Sequence, residues 1–252
     1  MKISIITTTF NSEKTLEKTL TSIKNQSHKD IECIWIDNSS TDKTFEIFEK
    51  NKVSDSKLFK VNNFSISEAW NYGIEKSTGD IIYFMNSDDI FYDEHVLSDI
   101  SNQFLKHKCN IVFGDINYIN KTGKIIRNWK SQINKQNSLK YGFFLNILKY
   151  GWMPPHPGFF ILRNYLMNIG KFNTNYRISF DYDFMVRALK DENINAIYYE
   201  RIISKMLVGG NSNKLSNIKN KMIEDYKIIK KNSIGNIFTL LLKNLQKIPQ
   251  FF

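Results

Sequence analysis

The chain has 252 residues, 42% hydrophobic, 24% charged and 14% aromatic, so it can bury a sizeable core and is not a disordered, collagen-like or disulfide-stapled chain. Its two cysteines, Cys33 and Cys109, sit in apolar runs and read as core thiols of a reducing compartment; with four scattered histidines they are too few for a zinc site. The net charge of +10 is uneven, +2 over residues 1–200 and +8 over residues 201–252, which suggests that the end of the chain meets a polyanionic surface, either membrane or nucleic acid. Lysines outnumber arginines 30 to 5, against sequence-specific DNA reading by arginine forks.

The first residues lead into a β-branched strand over 3–7 rather than a secretory apolar region. Residues 13–25 place Leu16, Leu20 and Ile23 at helical spacing, with Ser12 as the expected N-cap. A second apolar run over 31–36, a short helix over 42–50 and a third strand over 57–61 follow. Residues 67–77 read as a helix with Ala69, Trp70 and Ile74 inward. Thr78-Gly79 ends it before the strand IIYFM. Asp93 is expected to cap a helix running to about residue 108, before the strand IVFG. This alternation predicts an α/β fold, a mostly parallel twisted sheet with helices on both faces.

Beyond residue 114 the pattern changes. Residues 120–123 read as a hairpin turn, 130–150 as irregular and aromatic-rich, and 152–158 as a rigid proline-rich approach to the strand FFIL. A helix is expected over 181–189 and a long basic one over 214–231. The tail from Ile234 has apolar residues at 234, 237, 238, 241, 242, 245 and 248, one face of a helix. No apolar run is long enough to cross a bilayer.

Acidic residues follow two of the apolar runs: Asp37 in IDNSSTD, and Asp88 and Asp89 in NSDD. Ligands of open α/β sheets bind outside the carboxyl ends of strands, so both loops would face one crevice. Adjacent carboxylates suit a hard divalent cation that holds a diphosphate; the alternative is a pair of solvated loop aspartates. Thr8, Phe10 and Asn11 close the first strand with groups that can stack on and hydrogen-bond a nucleobase. No phosphate-cradling glycine loop accompanies them. Asp181, at a helix start, suits an N-cap better than a proton acceptor on spacing alone.

Together these segments resemble family 2 glycosyltransferases, inverting enzymes with a GT-A (Rossmann-like) fold. ISIITTTFN, IDNSSTDKT, SEAWNYGIEKSTGDIIYFMNSDD, HPGFFILRNYLMNIGKFN and ISFDYDFMVRAL match the family's segments in order, over about residues 1–210. The resemblance implies a nucleotide-sugar-binding half over 1–114 and an acceptor-binding half over 115–210, followed by a basic amphipathic helical tail over 211–252. It implies Thr8, Phe10 and Asn11 against the base of a UDP-sugar and Asp37 accepting from uracil. Asp88 and Asp89 would hold the ribose and a Mn²⁺ or Mg²⁺ ion, and Asp181 would be the general base, reversing the capping preference. Trp152, His156 and Asp183 become candidate acceptor contacts, although a histidine between prolines also reads as structural and Trp70 as core. Two positions depart from the family pattern: Asn86, often Asp, and Phe180, often Glu.

The implied reaction moves a hexose or N-acetylhexosamine to a saccharide acceptor, lipid-diphosphate-linked, in synthesis of a bacterial surface glycan such as O-antigen, capsule or exopolysaccharide. A metal-dependent nucleotidyltransferase would need a glycine-rich basic loop that ITTTFN lacks, and a nucleic-acid-binding protein would leave the acidic loops unexplained. The expected location is cytoplasmic, peripheral on the inner face of the plasma membrane if the tail docks on anionic lipid. The tail equally suits packing on the domain or on a second subunit.

Overall fold

Runs of β-branched and aromatic residues become the strands of a single nine-stranded sheet in the computed structural model, which describes residues 1–131, 133, 139–208 and 215–246. The first half alternates β1 (Ile3–Thr9), α1 (Leu16–Lys24), β2 (Ile31–Asp37), α2 (Thr44–Asn51), β3 (Ser56–Lys60), α3 (Ile66–Lys76) and β4 (Ile81–Asn86). These strands pair in parallel in the order β3-β2-β1-β4. Such strands are covered on both faces, which is why every residue of β2 is buried.

The second half is mixed. It comprises β5 (Ile90–Phe91), α4 (Val96–His107), β6 (Ile111–Ile119), β7 (Ile125–Trp129), α5 (Tyr141–Lys149), a 3₁₀ turn (His156–Gly158), β8 (Phe159–Leu162), α6 (Arg163–Ile169), α7 (Phe180–Leu189) and β9 (Ala196–Leu207). The sheet continues β4-β8-β6-β9-β5, and β7 pairs with β6 as the expected hairpin. Only the β6–β9 pair is parallel here. One core cluster lies on each face: Trp70, Phe84, Phe172 and Phe184 on one side, Leu20, Trp35, Ile100 and Phe160 on the other. Gly73 is required on α3, because a Cβ there would collide with Ile6 of β1.

Several local expectations change. Ser12 is not the cap of α1, which starts from Thr15; its hydroxyl lies 2.8 Å from that of Ser87 instead. α3 begins one turn-residue earlier than expected, behind a Ser65–Glu68 capping box. Asp93 leaves the capping position of α4 to His95 and pairs with Arg201 at 2.6 Å. Residues 141–149 form α5, and β9, unmarked in the sequence reading, is the longest strand described.

The tail forms α8 (Leu215–Lys231) and α9 (Ile237–Leu245). Ile234 is buried, but Ile237, Phe238, Leu241, Leu242 and Leu245 are exposed, whereas Thr239, Leu240 and Lys243 turn inward. Lys214, Ile248 and the terminal Gln250-Phe251-Phe252 lie outside the described residues. Among the described residues no helix is long and apolar enough to cross a membrane.

Candidate active site

The parallel register brings three strand ends to one edge: Thr9 pairs with Asp37, and Thr8 with Asn86. That edge gathers Thr8, Phe10, Asn11 and Asp37, the residues expected to meet a base. Asp37 is 3% exposed; its Oδ1 accepts from the hydroxyls of Thr9 (2.8 Å) and Ser40 (2.6 Å), and its Oδ2 from the Ser40 amide (2.9 Å). A carboxylate oxygen accepts about two bonds, so Oδ2 has room for one more donor. Asn11 adopts a left-handed φ of 49° and ties the two loops together: its amide donates to Ser40 Oγ and its Oδ1 accepts from the Thr41 amide, both at 2.9 Å. Phe10 leaves this knot 62% exposed, a bare aromatic face beside Asp37. Thr8 is half-buried next to it.

Beyond β4, Asp88 is half-buried and Asp89 is fully buried. Burial raises both carboxyls; with the Asp88 charge added, Asp89 is pushed up to about 8. Asn86, the departure from the family pattern, donates to Asp89 Oδ2 at 2.8 Å. A third carboxylate in its place would add repulsion. Asp89 Oδ1 is buried without a hydrogen-bond partner. Two adjacent carboxylates, one with an orphaned oxygen, fit a divalent cation whose remaining positions are filled by substrate oxygens and water. Among the described residues no group of three or more His, Cys, Asp or Glu forms a closed metal cage.

Asp181 stands in the first turn of α7, half-buried, and its Oδ1 accepts from the Tyr182 amide at 2.7 Å. The N-cap position belongs to Ser179. His156 is held beside it: burial lowers the imidazole's pKa, and the Asp181 charge pulls it back up. The ring stacks on Trp70 at 4.9 Å and reaches Phe84 at 6.1 Å, two residues before Asn86. Trp70 is therefore core, and it also seats His156. Phe180, the second departure, packs on Trp70 at 5.4 Å and Phe172 at 5.9 Å.

The three expected acceptor contacts fare differently. His156 faces the Asp181 side. Trp152 is half-buried, its indole donating to Ser131 O at 3.2 Å and its ring against Phe113. Asp183 is fully buried and pairs with Arg187 at 2.9 Å, and Arg187 in turn caps the carbonyls of Ile169, Gly170 and Lys171. It lies on the buried side of α7, and its Oδ1 is left without a hydrogen-bond partner.

The sequence reading missed Glu224. From α8 it accepts from the amides of Arg177, Ile178 and Ser179 at 2.8–2.9 Å, the segment that leads into α7 and Asp181. Its neighbour Asp225 is buried and paired with Lys243 of α9 at 2.5 Å, while the Lys243 ammonium lies 3.4 Å from the Tyr182 ring centre. The available signal was that these are the only two acidic residues in 201–252. A groove of about 550 Å³ between α1 and the β5–α4 turn contains none of the site residues.

Known proteins share this fold. The model described as glycosyl transferase family 2 matches residues 4–169. The chain belongs to glycosyl transferase family 2. A PGL/p-HBAD biosynthesis glycosyltransferase of Mycobacterium bovis BCG is 26% identical over 219 residues, covering 84% of this chain and 79% of that protein. The structure of S. aureus TarS 1–349 in complex with UDP-GlcNAc superposes with a TM-score of 0.75 at 20% identity, over 93% of this chain and 66% of that one. A mannosyltransferase from Pyrobaculum calidifontis, in complex with GDP-Man and Mn²⁺, gives 0.60 at 15% identity over 91% and 62% of the two chains. At these identities the solved structures establish the fold, and the chain spans between 39% and 66% of the TarS chains it matches. The family 2 fold thus covers both the parallel half and the mixed half that carries His156.

Proposed function

We propose that this family 2 glycosyltransferase moves a hexose or N-acetylhexosamine from a UDP-sugar to a saccharide acceptor, with inversion at the anomeric carbon. The observation that carries the reading is one sheet edge at which the Phe10–Asp37 knot, the Asp88-Asp89 pair and the Phe84–His156–Asp181 side follow one another. Phe10 stacks on the base and Asp37 Oδ2 accepts from uracil. A divalent cation held by Asp88 and Asp89 would neutralise charge on the departing nucleoside diphosphate. Asp181 accepts the proton of the acceptor hydroxyl as that oxygen bonds to the anomeric carbon and the bond to the diphosphate breaks. His156 borders the hydroxyl's approach.

The neighbour bound to UDP-GlcNAc supports a uridine donor, and the one bound to Mn²⁺ supports the metal. The outward apolar stripe of α9 supports an acceptor carried on a lipid diphosphate in a bacterial surface-glycan pathway, with the chain peripheral on an anionic membrane. The test is Asp181→Asn: transfer is expected to fall by about 100-fold or more, while UDP binding with Mn²⁺ measured by calorimetry is unchanged. EDTA should abolish transfer and Mn²⁺ restore it. Full transfer by the variant would remove Asp181 as the base, and transfer indifferent to EDTA would remove the metal.

A further inference from the structure

The ribbon β7-β6-β9-β5 projects past the edge that holds the site. Ile111 of β6 lies level with Ile82 of β4 through their shared partner Ile161 on β8. β4 ends at Asn86, but β6 continues to Ile119, about four residues or ~13 Å further. The register across the ribbon sets Trp129, Ile116, Ser204 and Phe91 in one row. The next row holds Arg127, Tyr118 and Met206, level with Asp89, which precedes β5. Side chains two apart on a strand share a face, so Arg127 and Trp129 rise from one side. Ser204 Oγ donates to Pro157 O at 2.9 Å, which places the His156 turn on that side as well.

On this wall the Arg127 guanidinium lies 4.7 Å from the Trp129 ring centre and 5.4 Å from that of Tyr118. Its Nη1 and the Trp129 indole N–H are both buried without a hydrogen-bond partner. No salt bridge to Arg127 forms among the described residues, and the segments outside them contribute no Asp or Glu. A guanidinium held by two rings, with a donor edge left open, is arranged for an anion rather than for the fold. Burial raises the Tyr118 phenol, the Arg127 charge lowers it, and the Asp89 charge adds a smaller rise, so the wall lies within electrostatic reach of the proposed metal pair.

We infer that Arg127, with the Trp129 N–H beside it, forms a phosphate-binding site on the acceptor side of the cleft. This rests on the glycosyltransferase reading above. Three strand spacings, about 14 Å, separate Arg127 from the level of Asp89, which favours a phosphate of the acceptor over the donor diphosphate. Planar fork geometry suits a phosphate's oxygens, and the flanking rings hold the fork without consuming its N–H groups.

The test uses the full chain, with Arg127→Gln and Arg127→Lys compared with the unsubstituted protein. Glycerol phosphate is titrated into protein saturated with UDP and Mg²⁺, and UDP is titrated separately. Arg127→Gln should weaken glycerol phosphate about tenfold or more and leave UDP unchanged, with Arg127→Lys intermediate because a point charge lacks the fork. If UDP instead weakens in both variants, and glycerol phosphate binds only when UDP is absent, the phosphate held is the donor's and the acceptor-side assignment is overturned. Variants indistinguishable from the unsubstituted protein in both titrations overturn the site. Failure of that protein to bind UDP would strike the donor reading instead, so the two failures are separable.

Discussion

Asp89 is fully buried, its carboxyl is pushed up to about 8, and one of its oxygens has no partner. A group whose folded pKa exceeds its unfolded value binds more protons when folded, so its contribution to stability is fully present below the unfolded value near 3.8 and is lost as pH rises through about 8. The metal-free protein should therefore lose stability between those values, as read by urea unfolding at a series of pH values. Asp89→Asn removes the ionisable group, so it should flatten that slope and raise stability at pH 8 by about 1 kcal/mol, while Mn²⁺ binding is lost. A steeper slope in the variant would contradict the assignment. Glu32 shows the opposite balance at the other end of the sheet. Burial pushes its carboxyl up, but bonds from Ser4, Thr78 and Gly79 outweigh that and hold it at about 2. Four donated bonds keep the buried Glu32 carboxylate charged, whereas Asp89 has only the Asn86 side chain and amide against its burial and the Asp88 charge.

At the scale of elements, α7 is held at its start by another helix. Glu224 on α8 takes three amides ahead of α7, and Asp225 on the next residue pairs with Lys243 of α9 and more distantly with Lys221. Burial pushes the Asp225 carboxyl up, but Lys243 and Lys221 outweigh it and hold it below its ordinary value. Breaking a buried pair strands the surviving charge, so Lys243→Met should cost roughly 3 kcal/mol in urea unfolding, and Lys243→Met with Asp225→Leu less than that. Glu224→Gln should lower kcat with little change in UDP affinity, because the segment it grips presents Asp181. An unchanged kcat would reduce Glu224 to a cap. The helices themselves were legible from spacing: α1, α3 and α7 follow their apolar periodicity. Their starts were less so, because Ser12 and Asp93 found stronger partners in Ser87 and Arg201.

For the whole molecule, the tail's polarity is reversed relative to a helix that merely covers the core. Lys243 and Thr239 face inward, while Phe238, Leu241 and Leu245 face out at 68%, 47% and 54% exposure. Both acidic residues of 201–252 are engaged by the fold, which leaves the outward surface basic and apolar. Deleting the tail would expose Asp225, so substitution is the cleaner probe. Phe238→Glu with Leu241→Glu should abolish sedimentation with anionic vesicles and leave UDP binding intact; unaltered sedimentation would assign that face to another partner.

The order of apolar runs and the acidic, hydroxyl and aromatic residues at their ends already determined the parallel half and its edge, because strand periodicity and strand-end chemistry are local properties; the family came from the resemblance of whole segments in order. Only the tertiary structure decided which acidic residues stay polar sites and which become supports. Asp183 and Asp89 look equally suited to a cleft along the chain, and each keeps one buried oxygen without a hydrogen-bond partner, yet Asp183 is paired with the Arg187 guanidinium whereas Asp89 lies beside a second carboxylate, Asp88. The same holds for α9, whose amphipathic pattern names a face but not what it meets. That choice depends on pairings such as Lys243–Asp225 between residues far apart in the chain, whose energy appears only when burial removes water from both.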